Sequence, residues 1–338
     1  MTDFYTSTVR SISTTGESGT HAQLRISAVT AVATFAARRI GDDLEALLLE
    51  LAPASLSGIV EWPVSRGFQV DIGPASPGSR TRTRLYLQLT EERYREVFHV
   101  LCEDVCSVLT TASGEEDGVR ACHSRLMRWQ AFLRKHQPDG LSPEERVGLF
   151  GELLVLRDLF LPRLEPAVTI RAWRGCKKAH QDFQFPGRAM EVKTTRAAIP
   201  DRISITNVQQ LDEDGLAPLV LTIVHVHANE TSGETLPEMV NAIRNVLPDN
   251  AREHFEDGLI EVGYLDAHEK LYEKMRYQLN GVLHHEVRDG FPRILREQLP
   301  DGVKKIRYEI TIDAARPFRI DEDSVHEIFQ EVTDADDD

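Results

Sequence analysis

His180-Gln181-Asp182-Phe183-Gln184-Phe185-Pro186-Gly187-Arg188-Ala189-Met190-Glu191-Val192-Lys193-Thr194 is the stretch that decides how this chain is read. It reads as two short strands joined by a tight turn. Pro186 presets φ, and Gly187 takes a positive φ without steric cost. Before the turn, Asp182 and Gln184 alternate with Phe183 and Phe185. After it, Met190 and Val192 point to one face while Glu191 and Lys193 point to the other, because side chains alternate along a strand. Such a hairpin brings Asp182 near Glu191 and Lys193, so two carboxylates and one ammonium gather at the end of a small sheet. Two neighbouring carboxylates repel each other and favour a shared divalent cation. Hard oxygen ligands suit Mg²⁺, with Mn²⁺ as a substitute. A cation there polarises a phosphodiester and activates water, and Lys193 is placed to orient that water or to stabilise developing charge. The plainer alternative is a surface hairpin carrying an ordinary Glu-x-Lys pair.

The flanking sequence gives the hairpin a context. Ser142-Pro143-Glu144-Glu145 has the form of a helix start, with an N-cap serine, proline in the first turn and glutamate three after the cap. The helix is expected to run to about Phe160 and to stop before Pro162. At about 100° per residue, Leu149, Leu153, Val155, Leu156, Leu159 and Phe160 share one arc, and Glu152 lies within it. A carboxylate on an apolar face is costly to bury unless it is paired or metal-bound. A salt bridge to a neighbouring arginine is the alternative for Glu152. Ala167–Trp173 is predicted as the first core strand, and Lys177, Lys178 and His180 then approach the hairpin. After Lys193 comes a loop with Arg196, Pro200 and Arg202, then a helix carrying Asn207, Gln209 and Gln210. Leu219–His227 is a near-continuous apolar run of the kind found in a central strand.

An acid on the first helix, then a strand, a hairpin with Asp182, Glu191 and Lys193, a helix and an apolar strand: this order resembles the PD-(D/E)XK nuclease superfamily. The closer resemblance is to a bacterial group of PD-(D/E)XK motif proteins seen near phage-defence genes. It covers most of the chain and is best from about Leu141 to His227. Asp182 matches the first acid of the motif, Glu191 the second and Lys193 the lysine. Gln181 stands where the motif's name places proline, a departure common in the superfamily. The resemblance implies an α/β fold with a restriction-endonuclease-like core, αβββαβ, in which a mixed sheet is flanked by helices. It implies a Mg²⁺-dependent DNA endonuclease that leaves 5′-phosphate and 3′-hydroxyl ends, serving restriction or anti-phage defence. Asp182 and Glu191 would be metal ligands, Glu152 a further ligand or a base behind them, and Lys193 the residue that positions water. Lys177, Lys178, Arg196, Arg202 and Gln210 are candidate nucleic-acid contacts. One site cuts one strand, so duplex cleavage implies a homodimer or two nicks, and a methyltransferase or ATPase is an expected partner. A nucleic-acid-binding or scaffold subunit of a defence complex, and a nuclease of repair or of RNA, are the other readings.

Composition sets the outer bounds. With 338 residues, 41% apolar and 28% charged, the chain has the make-up of a globular protein of two or three domains. No apolar run reaches membrane-spanning length. Met1-Thr2-Asp3-Phe4-Tyr5 lacks the features of a signal peptide, and Cys102, Cys106, Cys122 and Cys176 do not suggest a disulfide framework, so the cytoplasm is the expected compartment. A zinc site from His99, Cys102, Cys106 and Cys122 or His123 is conceivable; buried inert thiols are the alternative. The net charge is −15, yet from Arg120 to Arg202 there are sixteen Lys and Arg against nine Asp and Glu. A basic segment around the site suits phosphate tracking. No P-loop or glycine-rich nucleotide fingerprint is present, so energy coupling would need a partner.

The expected domains follow in order. Residues 1–24 are rich in Ser, Thr and Gly and read as a flexible start. Residues 25–112 read as a β-rich module ending in a helix, with Leu44–Leu49 open to either helix or strand. Residues 113–140 form a basic helical connector, 141–320 the nuclease-like domain with a C-terminal extension, and 321–338 an acidic, mobile tail with nine acids and no Lys or Arg.

Overall fold

The structure is a computed structural model that describes residues 3–15, 20–29, 31–75, 81–136, 138–175, 179–197, 200–213, 215–303 and 305–330. The chain divides into two compact units, Met1–Gly140 and Leu141–Asp338. Among the described residues no helix is long and apolar enough to cross a membrane.

The first unit contains α1 (Tyr5–Arg10), β1 (His21–Arg25), β2 (Ala33–Arg39), β3 (Glu45–Leu51), β4 (Phe68–Pro74), β5 (Thr83–Leu89), α2 (Arg95–Thr111) and α3 (Glu115–Lys135). Its strands form one antiparallel sheet in the order β1-β2-β3-β5-β4. The ambiguous run at Leu44–Leu49 is therefore strand, held from both sides by β2 and β5. The opening residues depart from the flexible start read in the sequence. Tyr5 and Val9 are fully buried, and the Glu103 carboxylate accepts from the main-chain N–H groups of Phe4, Tyr5 and Thr6 at 2.7–3.0 Å. Two apolar anchors at i and i+4, together with a carboxylate supplied by α2, order a segment whose composition alone looks loose. Likewise α3 is no bare connector. It packs on α2 through a stripe that includes Val119, Cys122, Leu126 and Trp129, and the Trp129 indole donates to Asp104 at 2.9 Å. Cys102, Cys106 and Cys122 are buried thiols, and burial pushes Cys122 up to about 12.

The second unit opens with α4 (Pro143–Leu154), which continues into a π-helical turn, Val155–Phe160. The capping box expected at its start is present: Glu145 N–H donates to Ser142 Oγ, and Ser142 N–H to Glu145 Oε2 at 2.8 Å. Then come α5 (Pro166–Ala172), β6 (Phe183–Phe185), β7 (Arg188–Thr195), β8 (Arg202–Ile205), a 3₁₀ turn at Val208–Leu211 and β9 (Leu219–Asn229). They are followed by β10 (Glu234–Thr235), α6 (Leu236–Val246), α7 (Asp249–Val262), α8 (Glu269–Tyr272), β11 (Arg276–Val287), β12 (Tyr308–Thr311), α9 (Ile312–Ala315), β13 (Arg319–Ile320) and α10 (Glu322–Gln330). The main sheet runs β10-β11-β9-β7-β6, with β13 on β11, and is mixed because only β7 and β9 pair in parallel.

Alternation along β7 sorts the two faces. Met190 and Val192 join Phe150, Leu153, Met239, Phe255 and Phe329 in one core, beneath the helices. Ala189 faces a smaller core with Leu219, Leu221, Ile203 and Ile310, where the β8–β12 ribbon lies. The α/β expectation therefore holds, but the element order is α4, α5, β6, β7, β8, turn, β9, with β8 in the separate ribbon, rather than αβββαβ. The helix expected at Asn207–Gln210 is reduced to a 3₁₀ turn, and helices cover one face of the sheet while a ribbon covers the other.

Two further readings are corrected. Ala167–Trp173 is not a strand: it lies in α5, with Trp173 alone making an isolated bridge to Phe183. Pro166 at the first turn and the Glu165 carboxylate, which accepts from Val168 N–H at 2.7 Å, start a helix that overrides the β-branched run Val168-Thr169-Ile170. Within the supposed tail, residues 322–330 form α10, while 331–338 lie outside the described residues. Asp321 Oδ1 accepts from Ser324 N–H at 2.9 Å, and Val325 and Phe329 bury one face, Phe329 against Phe160 and Phe185. Burying a phenylalanine of this kind contributes about 1.5–3 kcal/mol, enough to hold a helix whose acids all lie on its wet side.

Candidate active site

The hairpin forms as its sequence requires. Phe183 pairs with Met190 and Phe185 with Arg188, and Gly187 turns the chain with φ +71°. Asp182 stands just before β6 and is fixed at three points. Its carbonyl accepts from Arg174 N–H at 2.7 Å and Gly175 N–H at 2.9 Å, and its Oδ2 accepts from Val192 N–H at 2.8 Å. Glu191 is 1% exposed, and Lys193 Nζ lies 2.6 Å from its Oε1. Glu191 Oε2 is buried and has no hydrogen-bond partner among the described residues.

Glu152 arrives from α4. Its helix sits so close to β7 that a Cβ on Gly151 would overlap the hydroxyl of Thr194. This approach, which only glycine permits, sets the height of Glu152 above the strand. The acid is met by Trp173, whose indole N–H donates to Glu152 Oε2 at 2.8 Å. Gly175 closes the arrangement: a Cβ there would lie 2.5 Å from Glu152 Oε2 and 3.0 Å from Asp182 Oδ1. Both carboxylates thus converge on a spot kept clear by the missing side chain. No salt bridge of Glu152 to an arginine is formed among the described residues; Arg157, one turn on, pairs with Asp158 and Glu234 instead.

Three carboxylates and one ammonium make an unbalanced set. Burial, then repulsion from Asp182, holds Glu152 well above the ordinary carboxylate range. Burial raises Asp182 too, against the pull of Lys193 and the Val192 N–H. Burial followed by repulsion from Asp182 pushes Glu191 up to about 8. Burial alone would lower Lys193, but Glu191 and Asp182 outweigh it and hold the ammonium above its usual value. The carboxyls are therefore poised to accept a cation.

Among the described residues no three His, Cys, Asp or Glu side chains already stand close enough together to hold a metal ion. The donor chemistry nevertheless fits a hard divalent cation: an unpartnered buried Glu191 oxygen, and two carboxylate oxygens converging on the Gly175 cradle. Asp182 and Glu191 are the residues that could hold it, with Glu152 adjoining. The thiols and His99 make no such group either, because His99 Nε2 is engaged with Glu45 Oε2 at 2.6 Å.

The other candidates scatter. Lys177, Lys178 and Cys176 lie outside the described residues. Arg196 is exposed, 3.6 Å from Glu144. Arg202 is exposed on β8 between Asp201 and Glu309, at 2.9 and 3.3 Å. Gln210 is half-buried and its Oε1 accepts from Thr206 N–H at 3.0 Å, so its contact is with its own turn. Part of the basic excess between Arg120 and Arg202 is matched internally, as by Arg125 with Asp104 and Arg157 with Glu234.

Several site residues gave no signal in the sequence. Trp173, Gly175 and the Gly151–Thr194 contact matter only through long-range proximity. Gln181, in the proline position, is 2% exposed and clamps the neighbouring turn by donating to the carbonyls of Gln209 and Asp212 at 2.8 and 3.0 Å.

Comparison with known families gives a match over residues 7–313 to the family described as "Putative PD-(D/E)XK family member, (DUF4420)". No curated protein and no solved structure matches the chain.

Proposed function

This chain belongs to the family described as "Putative PD-(D/E)XK family member, (DUF4420)", and from that premise we propose that it is a Mg²⁺-dependent endonuclease that hydrolyses DNA phosphodiesters, with Mn²⁺ as an acceptable substitute. One observation carries the reading: Glu152, Asp182 and Glu191 share a single ammonium, Lys193, and while Glu191 is buried, Glu152 and Asp182 are only half-buried, within reach of substrate. Asp182 and Glu191 would hold the cation, with Glu152 as a further ligand or as a base behind it. The bound cation would supply Lewis acidity toward a phosphoryl oxygen and acidify water.

The chain's own groups do the rest. The Val192 N–H fixes Asp182 Oδ2, so this carboxylate keeps its aim. Glu191 tethers Lys193 at 2.6 Å and keeps it protonated. The Lys193 ammonium would then orient the attacking water, whose proton Glu152 would take as the base, and stabilise negative charge as it develops on the phosphorus oxygens. Restriction of foreign DNA in the cytoplasm, a homodimer for duplex cutting, and a methyltransferase or ATPase partner belong to the same proposal. The absence of a closed three-ligand group among the described residues favours one other reading, a nucleic-acid-binding or scaffold subunit with little activity alone. Repair or RNA substrates would be separated by substrate preference.

The test is cleavage of plasmid and phage DNA by the full chain with Mg²⁺ or Mn²⁺ against EDTA. Metal-dependent cutting that falls by about 10²–10³-fold in Lys193→Ala, and disappears in Asp182→Ala, is expected. DNA binding without cutting, with partner proteins also supplied, would move the reading to the scaffold.

A further inference from the structure

We propose that Trp173 is a positioning residue that holds Glu152 Oε2 beside Asp182 Oδ1, so that Glu152 adjoins the Asp182–Glu191 cation site. The inference rests on the nuclease reading above and deepens it.

The donor is rigid. Trp173 is 1% exposed and closes α5, whose start is fixed by Glu165 and Pro166. Its main chain bridges to Phe183, the residue after Asp182. Its ring packs 5.8 Å from Phe255 on α7. The indole N–H is thus anchored by a helix end, a strand and a second helix before it meets Glu152 Oε2 at 2.8 Å. The acceptor, by contrast, is a glutamate with three rotatable bonds, repelled by Asp182 and Glu191. Left alone, such a side chain would swing away from its like-charged neighbours. A buried donor to a carboxylate gives a strong, directional bond that opposes this swing. The bond engages Oε2 only, and the same oxygen borders the Gly175 cradle. The segment Trp173-Arg174-Gly175 therefore performs three tasks: it pins Glu152 through the indole, pins Asp182 through two N–H groups, and leaves room between the two. Residues that orient metal ligands in this way are worth about 10–100-fold in metal affinity.

The test uses the full chain and two readouts. Calorimetric titration of Mn²⁺ compares wild type with Trp173→Phe, which keeps a buried ring and removes the N–H. An affinity about 10-fold weaker is expected, with no further loss when Trp173→Phe is added to Glu152→Ala. The second readout needs no cation. The chain has three tryptophans, so their indole N–H resonances are separable by nitrogen-15 NMR. Glu152→Ala should move the Trp173 resonance and speed its solvent exchange, leaving Trp62 and Trp129 unchanged. This readout stays decisive should Trp173→Phe fail to fold. A Trp173 resonance indifferent to Glu152→Ala, or wild-type affinity in a folded Trp173→Phe, overturns the proposal while leaving the nuclease reading intact. Wild type that takes up no Mn²⁺ overturns both.

Discussion

Each unit of this molecule buries a glutamate to 1% exposure, and the two are treated in opposite ways. Glu45, on β3 of the first unit, faces Arg95, Arg38 at 3.5 Å and His99 at 2.6 Å. Burial alone would raise its pKa, but His99, Arg95 and Arg38 outweigh burial and hold it below the ordinary carboxylate range. Glu191, on β7 of the second unit, faces one ammonium and two further acids, and is pushed up to about 8. The first cluster is complete in itself and serves the fold. The second is complete only with added positive charge, which is how a site differs from a strut.

Substitutions should separate the two by sign. The largest stability effect is expected at Glu45→Ala, which strands two guanidiniums around a buried space and should cost about 3–5 kcal/mol, read by denaturant unfolding. Glu191→Gln is the mirror case. Without divalent cations and at mildly alkaline pH it should stabilise the protein by about 1–3 kcal/mol, while abolishing cleavage. Destabilisation by Glu191→Gln under those conditions would erase the contrast.

The pH dependence sharpens the same point. The folded-state pKa of Glu191 lies above the unfolded 4.5, so its stability contribution is full below that value and lost as pH rises through about 8. For Glu45 the folded value is depressed, so stability is present above the ordinary carboxylate range and lost as acid is added. Melting temperature in EDTA should therefore decline on the alkaline side in wild type and flatten in Glu191→Gln, while Glu45→Gln should blunt the acid-side loss. The smallest effect is expected at Gly175→Ala. A methyl 2.5 Å from Glu152 Oε2 pushes the two acids apart, and should weaken Mn²⁺ binding about 10-fold with little change in unfolding.

How much of this was legible depended on whether the signal was local. Pro186-Gly187 and the Ser142–Glu145 capping box are rules of neighbouring residues, and both appear as expected. Glu152 was legible because a charge interrupted an apolar arc. The misread α5 shows local signals in conflict, where a proline-led helix start beat a β-branched run. The supposed tail shows composition masking pattern: its acids hid Val325 and Phe329 at helical spacing. Trp173 and Gly175 meet Glu152 21 and 23 positions away, and Gln181 meets Gln209 and Asp212 28 and 31 positions away, through contacts no periodicity encodes.

The most direct test of the uncompensated cluster is calorimetric titration of Mn²⁺ into the full chain at neutral pH, wild type against Asp182→Asn. Saturable uptake by wild type, lost in Asp182→Asn and untouched by a folded Glu45→Gln, is the predicted result. No saturable uptake by wild type, or undiminished uptake by Asp182→Asn, would contradict the account.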